Sequence, residues 1–264
     1  TQTAVSNLND EGYDKFDIDI VNVGDVMFDA ANFYSSYAQK PVWSDQFDLP
    51  EHFALATIHR AENTDNPARL NEIVRSLNEV HKTTPVILPL HPRTRHKLEE
   101  LNISLNVHVV DPVGYLEMVF LLQNCSMVLS DSGGVQKEAY FFKKSCLILR
   151  EETEWMELVK CGANHIVGAD YQRILGKFVS LSAHGVFDSM FYGEGDAAEK
   201  IVKWLKVGAF RDLFREVLFD TQSSFDATAV SSLLRSQDNG HSNSERLFAL
   251  VLFDLWRREY NVTF

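Results

Sequence analysis

The sequence predicts an α/β fold, a parallel sheet with helices on both faces, followed by an all-helical tail. Three observations carry this. Between about residues 50 and 170, short apolar or β-branched runs alternate with stretches of helical period, which is the signature of βαβ units. Residues 207–264 hold no Lys and 6 Arg and contain no convincing strand, whereas residues 1–206 hold 12 Lys and 7 Arg. The chain has 264 residues, 45% hydrophobic and 23% charged, enough to bury a sizeable core without staples.

Taken in order, the first 45 residues look like a remnant, with DIVNVG as one strand and DVMFDAANFYSSYAQ as one helix. That pair cannot form a core alone and must pack on something else. Lys40–Pro50, with Pro41 and Pro50, reads as a linker. The strands follow as FALATI (53–58), PVILPL (85–90), VHVV (107–110), MVLS, CLIL (146–149) and HIVG (165–168). Among the intervening helices, ARLNEIVRSLNEVHK places Leu70, Ile73, Val74, Leu77 and Val80 on one face, and YLEMVFLLQ and GGVQKEAYFF behave likewise. FRDLFREVLF, DATAVSSLLRS and SNSERLFALVLFDLWRREY read as three tail helices, with Asp226 and Ser242 or Asn243 as N-caps. In the last, Leu247, Leu250, Val251, Asp254 and Leu255 follow helical spacing. The expected domains are 1–40, 41–205 and 206–264.

Charge and composition narrow the function. The formal net charge is −12 with no basic cluster to offset it, which argues against a nucleic-acid surface. A small anionic ligand must then be met by local charge. No apolar run reaches the ~18 residues of a membrane span. The opening residues TQTAVSNLNDEGYDKFDIDI are polar and acidic, unlike a secretory signal. Cys125, Cys146 and Cys161 cannot all pair and match no zinc spacing, so a reducing, cytoplasmic setting is expected. The chain starts at Thr1 rather than Met, which leaves processing, trimming or a fragment open.

Four strand ends carry polar residues, and ligands of parallel sheets gather there. The strongest signal is Ser130-Asp131-Ser132-Gly133-Gly134-Val135-Gln136-Lys137-Glu138, after MVL and opening a helix. Glycines let a phosphate approach the backbone, and free N–H groups at a helix start attract it. Glu138, one turn inside, suits a ribose diol. The same residues also suit a tight turn capped by Ser132, with Glu138 as a dipole partner. The second group is His59-Arg60-Ala61-Glu62-Asn63, where His59 is cation, donor or proton carrier and Arg60 a phosphate clamp. Glu62 is a base, a holder of Arg60 or a helix-start residue; a capped, salt-bridged loop explains the group equally well. The third is His91-Pro92-Arg93-Thr94, where Pro92 also suits a helix start. The fourth, Arg150 through Glu157, offers Thr153 and Glu154 to the site and Trp155 as wall or core. Tyr115 and Met118 fit a helix packed on the sheet; Asp25 and Asp29 share a helix face without a metal partner; His165 and His184 stand isolated. GxSxG, Walker A and HExxH motifs are absent.

Together IHRAEN, HPRT, DPVGYLEMVFLL, SDSGGVQKEA, LREETEWME and FYGEGDAAEKIV resemble the UDP-N-acetylglucosamine 2-epimerase family in order and approximate spacing, from about Thr1 to Leu205. The resemblance implies a Rossmann-like lobe of a GT-B arrangement, nearly whole, with residues 1–40 the remnant of an N-terminal lobe. It implies C2 epimerisation of a UDP-2-acetamido sugar by elimination and re-addition of UDP, without metal or nicotinamide cofactor. Residue by residue, His59 would act at the pyrophosphate and sugar as the catalytic candidate, with Arg60 beside it. Ser132, Gly133 and Gly134 would bind phosphates and Glu138 the ribose; His91, Arg93 and Glu154 complete the set. The family's principal acid/base carboxylates lie in the lobe mostly absent here, so the chain is expected to be incomplete and inactive alone. Expected partners are UDP or the UDP-sugar, with no nucleic acid or membrane; a homo-oligomer or a polypeptide supplying the missing lobe stays open. Where the family carries TERPE, this chain reads Thr153-Glu154-Trp155-Met156-Glu157, which looks like the branch acting on diacetamido-uronic acids. A UDP-binding or assembly module and a GT-B glycosyltransferase fragment are the alternatives. The tail is similar to the C-terminus of glutamine-dependent asparagine synthetases, but without SGGxDS or the amidotransferase cysteine, so no synthetase activity carries over.

Overall fold

The computed structural model describes residues 1–45, 49–181, 187, 190–207, 209–220, 223–239 and 243–259. The chain divides into two compact units, Thr1–Gly195 and Asp196–Phe264.

The first unit is built on six parallel strands: β1 (Ala54–Thr57), β2 (Val86–Pro89), β3 (His108–Val110), β4 (Met127–Ser130), β5 (Cys146–Ile148) and β6 (Asn164–Ile166). Their order is β3-β2-β1-β4-β5-β6, so the winding reverses between β1 and β4. Each predicted strand in the 50–170 region is therefore present. The central strands β1, β2, β4 and β5 are buried throughout because both faces are covered, while the edge strands β3 and β6 are partly exposed. Ala54, Ala56, Val86, Leu88, Leu129 and Leu147 pack with Leu70, Ile73, Leu77 and Ile174 on one face. Phe53, Leu55, Ile87, Val128, Cys146 and Ile148 pack with Leu121, Leu122, Cys125 and Ala139 on the other. The period-two alternation along each strand thus separates two cores.

The expected helices form at Pro67–His81, Tyr115–Asn124 and Gly133–Phe141. Asn66 caps the first, accepting from the N–H groups of Ala68 and Arg69. His91 caps a helix at Pro92–Glu100, with Pro92 in its first turn. A helix at Tyr171–Ser180 was not expected from the sequence; Asp170 caps it.

The N-terminal region departs from expectation. DIVNVG forms no strand: residues 19–24 join no ladder, and Asp19, Val21 and Asn22 are exposed. A strand exists only with a neighbour that takes its N–H and C=O groups in a ladder; here Gly193 packs against Gly24 and Tyr192 O accepts from Asp25 N–H, but no ladder forms. The helix is present at Val26–Ser35, capped by Asp25, and it packs against the helices Tyr115–Asn124 and Gly133–Phe141. A further helix occupies Gln2–Asp10. Within Lys40–Pro50, Val42–Asp45 forms a 3-10 turn, and Trp43 and Leu49 pack on the second core; residues 46–48 lie outside the described set.

The second unit contains helices at Ala197–Val207, Ala209–Phe219, Ala227–Asp238 and Ser244–Glu259. Phe214, Val217, Leu218, Val230, Leu234, Leu247 and Val251 form its core. Asp226 is an N-cap as expected, accepting from Ala229 N–H. Asn243 accepts the first bond of the last helix through its carbonyl, while Ser242 lies outside the described residues. Leu255 is 38% exposed despite its spacing, and Asp254 is fully buried. A carboxylate is tolerated there because Arg257 lies at 3.1 Å and Arg258 at 2.7 Å. No helix among the described residues is long and apolar enough to cross a membrane.

Candidate functional site

The site lies at the carboxyl ends of β1 and β4, where the sheet's winding reverses, the place at which ligands of such sheets gather. Two hydroxyls join the strand ends, Thr57 Oγ1 and Ser130 Oγ standing 2.6 Å apart. Ser130 Oγ also accepts from Ser132 N–H at 2.9 Å, which shapes the turn into the helix Gly133–Phe141. Ser132 caps that helix, accepting from Val135 N–H through its hydroxyl and from Gln136 N–H through its carbonyl. Among the described residues, the N–H groups of Gly133 and Gly134 have no protein acceptor. They are the unspent donors of a nine-residue helix, and the helix dipole adds partial positive charge.

Asp131 holds the loop after β1 in place. Fully buried, its carboxylate accepts from His59 N–H at 3.1 Å, Arg60 N–H at 3.0 Å and Asn63 Nδ2 at 3.1 Å. His59 Nδ1 stands 3.5 Å away. Asn63 also donates to Leu149 O at 2.9 Å, linking the ends of β1, β4 and β5. The polypeptide therefore delivers His59 and Arg60 to the rim of the Gly-Gly turn. A Cβ placed on Gly133 would meet Glu154 Oε2 at 3.2 Å, Trp155 Nε1 at 3.7 Å and the Arg60 guanidinium at 3.8 Å. His91 arrives from the end of β2, its ring centroid 6.3 Å from that of His59.

The structure thus gathers His59, Arg60, Ser132, Gly133, Gly134, His91 and Glu154. Glu138 sits one turn in, beside the Tyr115 hydroxyl. Burial pushes the Glu138 carboxyl above its ordinary value and the neighbouring Tyr115 hydroxyl partly offsets this. Burial, then the charge and hydrogen bond of Glu138, push Tyr115 up to about 12. Arg93 instead engages Asp65, and its hydrogen bond holds the Asp65 carboxyl below the usual range.

Glu62 pairs with Arg150 rather than Arg60, at 2.9 Å. Arg150, 7% exposed, also grips Glu154 at 2.9 and 3.1 Å. Burial alone would raise the Glu154 carboxyl, but the Arg150 hydrogen bond and the charges of Arg150 and Arg60 bring it below its ordinary value. Thr153 Oγ1 donates to Gln136 Oε1, and Trp155 Nε1 donates to Gly133 O at 2.8 Å. Trp155 is therefore wall and strut at once.

Two contributors were not legible from local pattern. Asp131 sits inside SDSGG, where an acidic residue suggests a cap for its own helix, yet it serves a loop 72 residues away. Asp25 meets Lys137, a pairing that only folding produces. Met118 is partly buried against the second core. Cys125 and Cys146 are buried, and burial pushes the Cys125 thiol up to about 12. The ring of His165 is pushed down by burial, and His184 lies outside the described residues. Among the described residues, no three His, Cys, Asp or Glu side chains gather as a metal ion would require.

Comparison with known proteins gives a consistent picture. The family described as UDP-N-acetylglucosamine 2-epimerase matches residues 1–206. A UDP-2,3-diacetamido-2,3-dideoxy-D-glucuronate 2-epimerase of Pseudomonas aeruginosa is 50% identical over 207 residues, 78% of this chain and 58% of that protein. The UDP-GlcNAc 2-epimerase of Methanocaldococcus jannaschii superposes with a TM-score of 0.68 at 33% identity, over 79% of this chain and 61% of the other. The same enzyme in complex with UDP-GlcNAc and UDP gives 0.67 over 79% and 60%. The chain therefore spans about three-fifths of the length of these relatives.

Proposed function

From the premise that this chain belongs to the UDP-N-acetylglucosamine 2-epimerase family, we propose that it binds the UDP part of a UDP-2-acetamido sugar at the Gly133–Gly134 turn. The observation that carries the proposal is the pair of unspent N–H donors at a helix start, with Arg60, His59 and His91 brought to the same rim from neighbouring strand ends. A diphosphate takes the two N–H groups and the Arg60 fork. Glu138 accepts from the ribose hydroxyls, and the Tyr115 O–H steadies its carboxylate. Glu154 borders the sugar side, kept ionised by Arg150. Arg93 reaches the ligand only by leaving Asp65.

The reaction proposed for the whole protein is inversion at C2 through loss and return of UDP. His59 carries a proton or stabilises the departing diphosphate. The named activity of the Pseudomonas aeruginosa relative and the Thr153-Glu154-Trp155 sequence support a diacetamido-uronic sugar as substrate. We place the protein in the cytoplasm, where nucleotide sugars are made. For this chain by itself we propose binding without turnover, since the resemblance assigns the acid/base carboxylates to a lobe it holds only in part. A glycosyltransferase reading is disfavoured by IHRAEN and TEWME together.

Titration calorimetry with UDP tests the site. Glu138→Ala weakens binding by about 1–3 kcal/mol when a charged hydrogen bond is lost; unchanged affinity with an intact fold removes the ribose assignment. Proton NMR in heavy water tests turnover, because exchange at C2 of UDP-N-acetylglucosamine by the purified chain contradicts binding without catalysis.

A further inference from the structure

Lys137 follows the Gly-Gly turn by one helical turn yet is not among the residues assigned to the ligand. Its side chain is nearly inaccessible, at 4% exposure. The ammonium pairs with Asp25. It also lies 4.1 Å from the ring centroid of Trp155 and 5.0 Å from that of Tyr192. Each neighbour is tied elsewhere. Asp25 accepts from Met27 N–H at 2.7 Å and donates its own N–H to Tyr192 O at 3.0 Å. The Tyr192 hydroxyl donates to Glu157 at 2.7 Å. One buried cation therefore joins the start of the helix Val26–Ser35, the Thr153–Glu157 loop, the segment around Tyr192 and the helix that bears the turn.

Trp155 leads from this hub to the ligand. One side of its indole faces the Lys137 charge, and its Nε1–H donates to Gly133 O at 2.8 Å. Gly133 C=O and Gly134 N–H belong to one planar trans peptide and point in opposite directions. Pinning the oxygen therefore aims the N–H. That N–H is one of the two donors without a protein acceptor. Trp155 also follows Glu154, whose carboxylate Arg150 holds with Oε2 3.2 Å from where a Gly133 Cβ would be.

We infer that Lys137 is a positioning residue for the anion turn, acting through the Trp155 indole on the Gly133–Gly134 peptide. A neutral side chain of similar length removes the cation–π contact and loosens the indole; an arginine retains both charge and stacking. The inference rests on the UDP-binding reading for its consequence, though not for its geometry.

The test uses the 15N-labelled chain. Hydrogen exchange at the Trp155 indole, assigned with Trp155→Phe, is read without ligand, and UDP affinity is read by calorimetry. The wild type is expected to exchange slowly at that position. Lys137→Met speeds exchange and weakens UDP roughly tenfold, while Lys137→Arg recovers most of both. Because Lys137→Met strands the Asp25 carboxylate, Lys137→Met with Asp25→Asn serves as the folded control. Free-indole exchange in the wild type overturns the inference without any variant. So does slow exchange, or unchanged UDP affinity, in a folded Lys137→Met chain whose parent binds UDP. If the parent binds no UDP yet the indole is released in Lys137→Met, the strut stands and the nucleotide reading falls.

Discussion

Replacing Gly134 with alanine separates what the protein needs at the turn from what a ligand needs. A Cβ on Gly134 meets only Ser132 Oγ, at 3.9 Å, and the residue is not among the glycines with positive φ. The fold therefore gives no reason for glycine there. In the first turn of a helix, alanine should stabilise by about 0.4–1 kcal/mol through the unfolded chain. For a chain of this size that raises Tm by about 1–4 °C. The new methyl nevertheless stands where an anion must approach the Gly133 and Gly134 N–H groups. Losing one charge-assisted bond costs about 1.5–3 kcal/mol, or roughly ten- to hundredfold in affinity. Gly133→Ala is the contrast: its Cβ falls 3.2 Å from Glu154 Oε2, held by Arg150, so that variant should lower Tm as well as affinity. Scanning calorimetry and UDP titration read both quantities. A Gly134→Ala chain that keeps its UDP affinity within twofold refutes the approach over the turn (about 0.4 kcal/mol). A Tm drop of several degrees refutes the steric reading.

Two further outcomes follow from buried carboxylates. Burial holds the Glu138 carboxyl above its ordinary value of 4.5, so between those values the folded chain keeps a proton that the unfolded chain has lost. Unfolding free energy then falls as pH rises through that window. Glu138→Gln should match the wild type below it and become progressively more stable than the wild type toward neutral pH, in paired urea melts; a gap that does not change with pH contradicts the assignment. In the second unit, Asp254→Ala leaves Arg257 and Arg258 without their buried partner and should cost about 3–5 kcal/mol. Leu255→Ala, at an exposed position, should cost far less in the same thermal melts; equal losses contradict the burial.

Much of this fold was legible in the chain. The six strands between Phe53 and Gly168 announce themselves as short apolar or β-branched runs, four of them buried throughout because a sheet covered on both faces needs apolar strands, and the faces of Leu70–Val80 and Leu247–Val251 follow from helical period. SDSGG after a strand and IHRAEN after another marked the two ends that meet, since turn glycines and strand-end polar residues are local signals. Partners were not legible, because pairing is a property of distance in space. DIVNVG has strand composition but joins no ladder, so it forms no strand. Glu62 took Arg150 in place of its near neighbour Arg60, and Asp131 spent its charge on a loop far away in sequence. Lys137 looked like an ordinary helix residue until folding closed Asp25, Trp155 and Tyr192 around it. Residue type and spacing determined which elements form and which groups stand at strand ends. The order in which the strands assemble decided which of those groups share a field, because electrostatics and hydrogen bonding act over a few ångströms, whatever the separation along the chain.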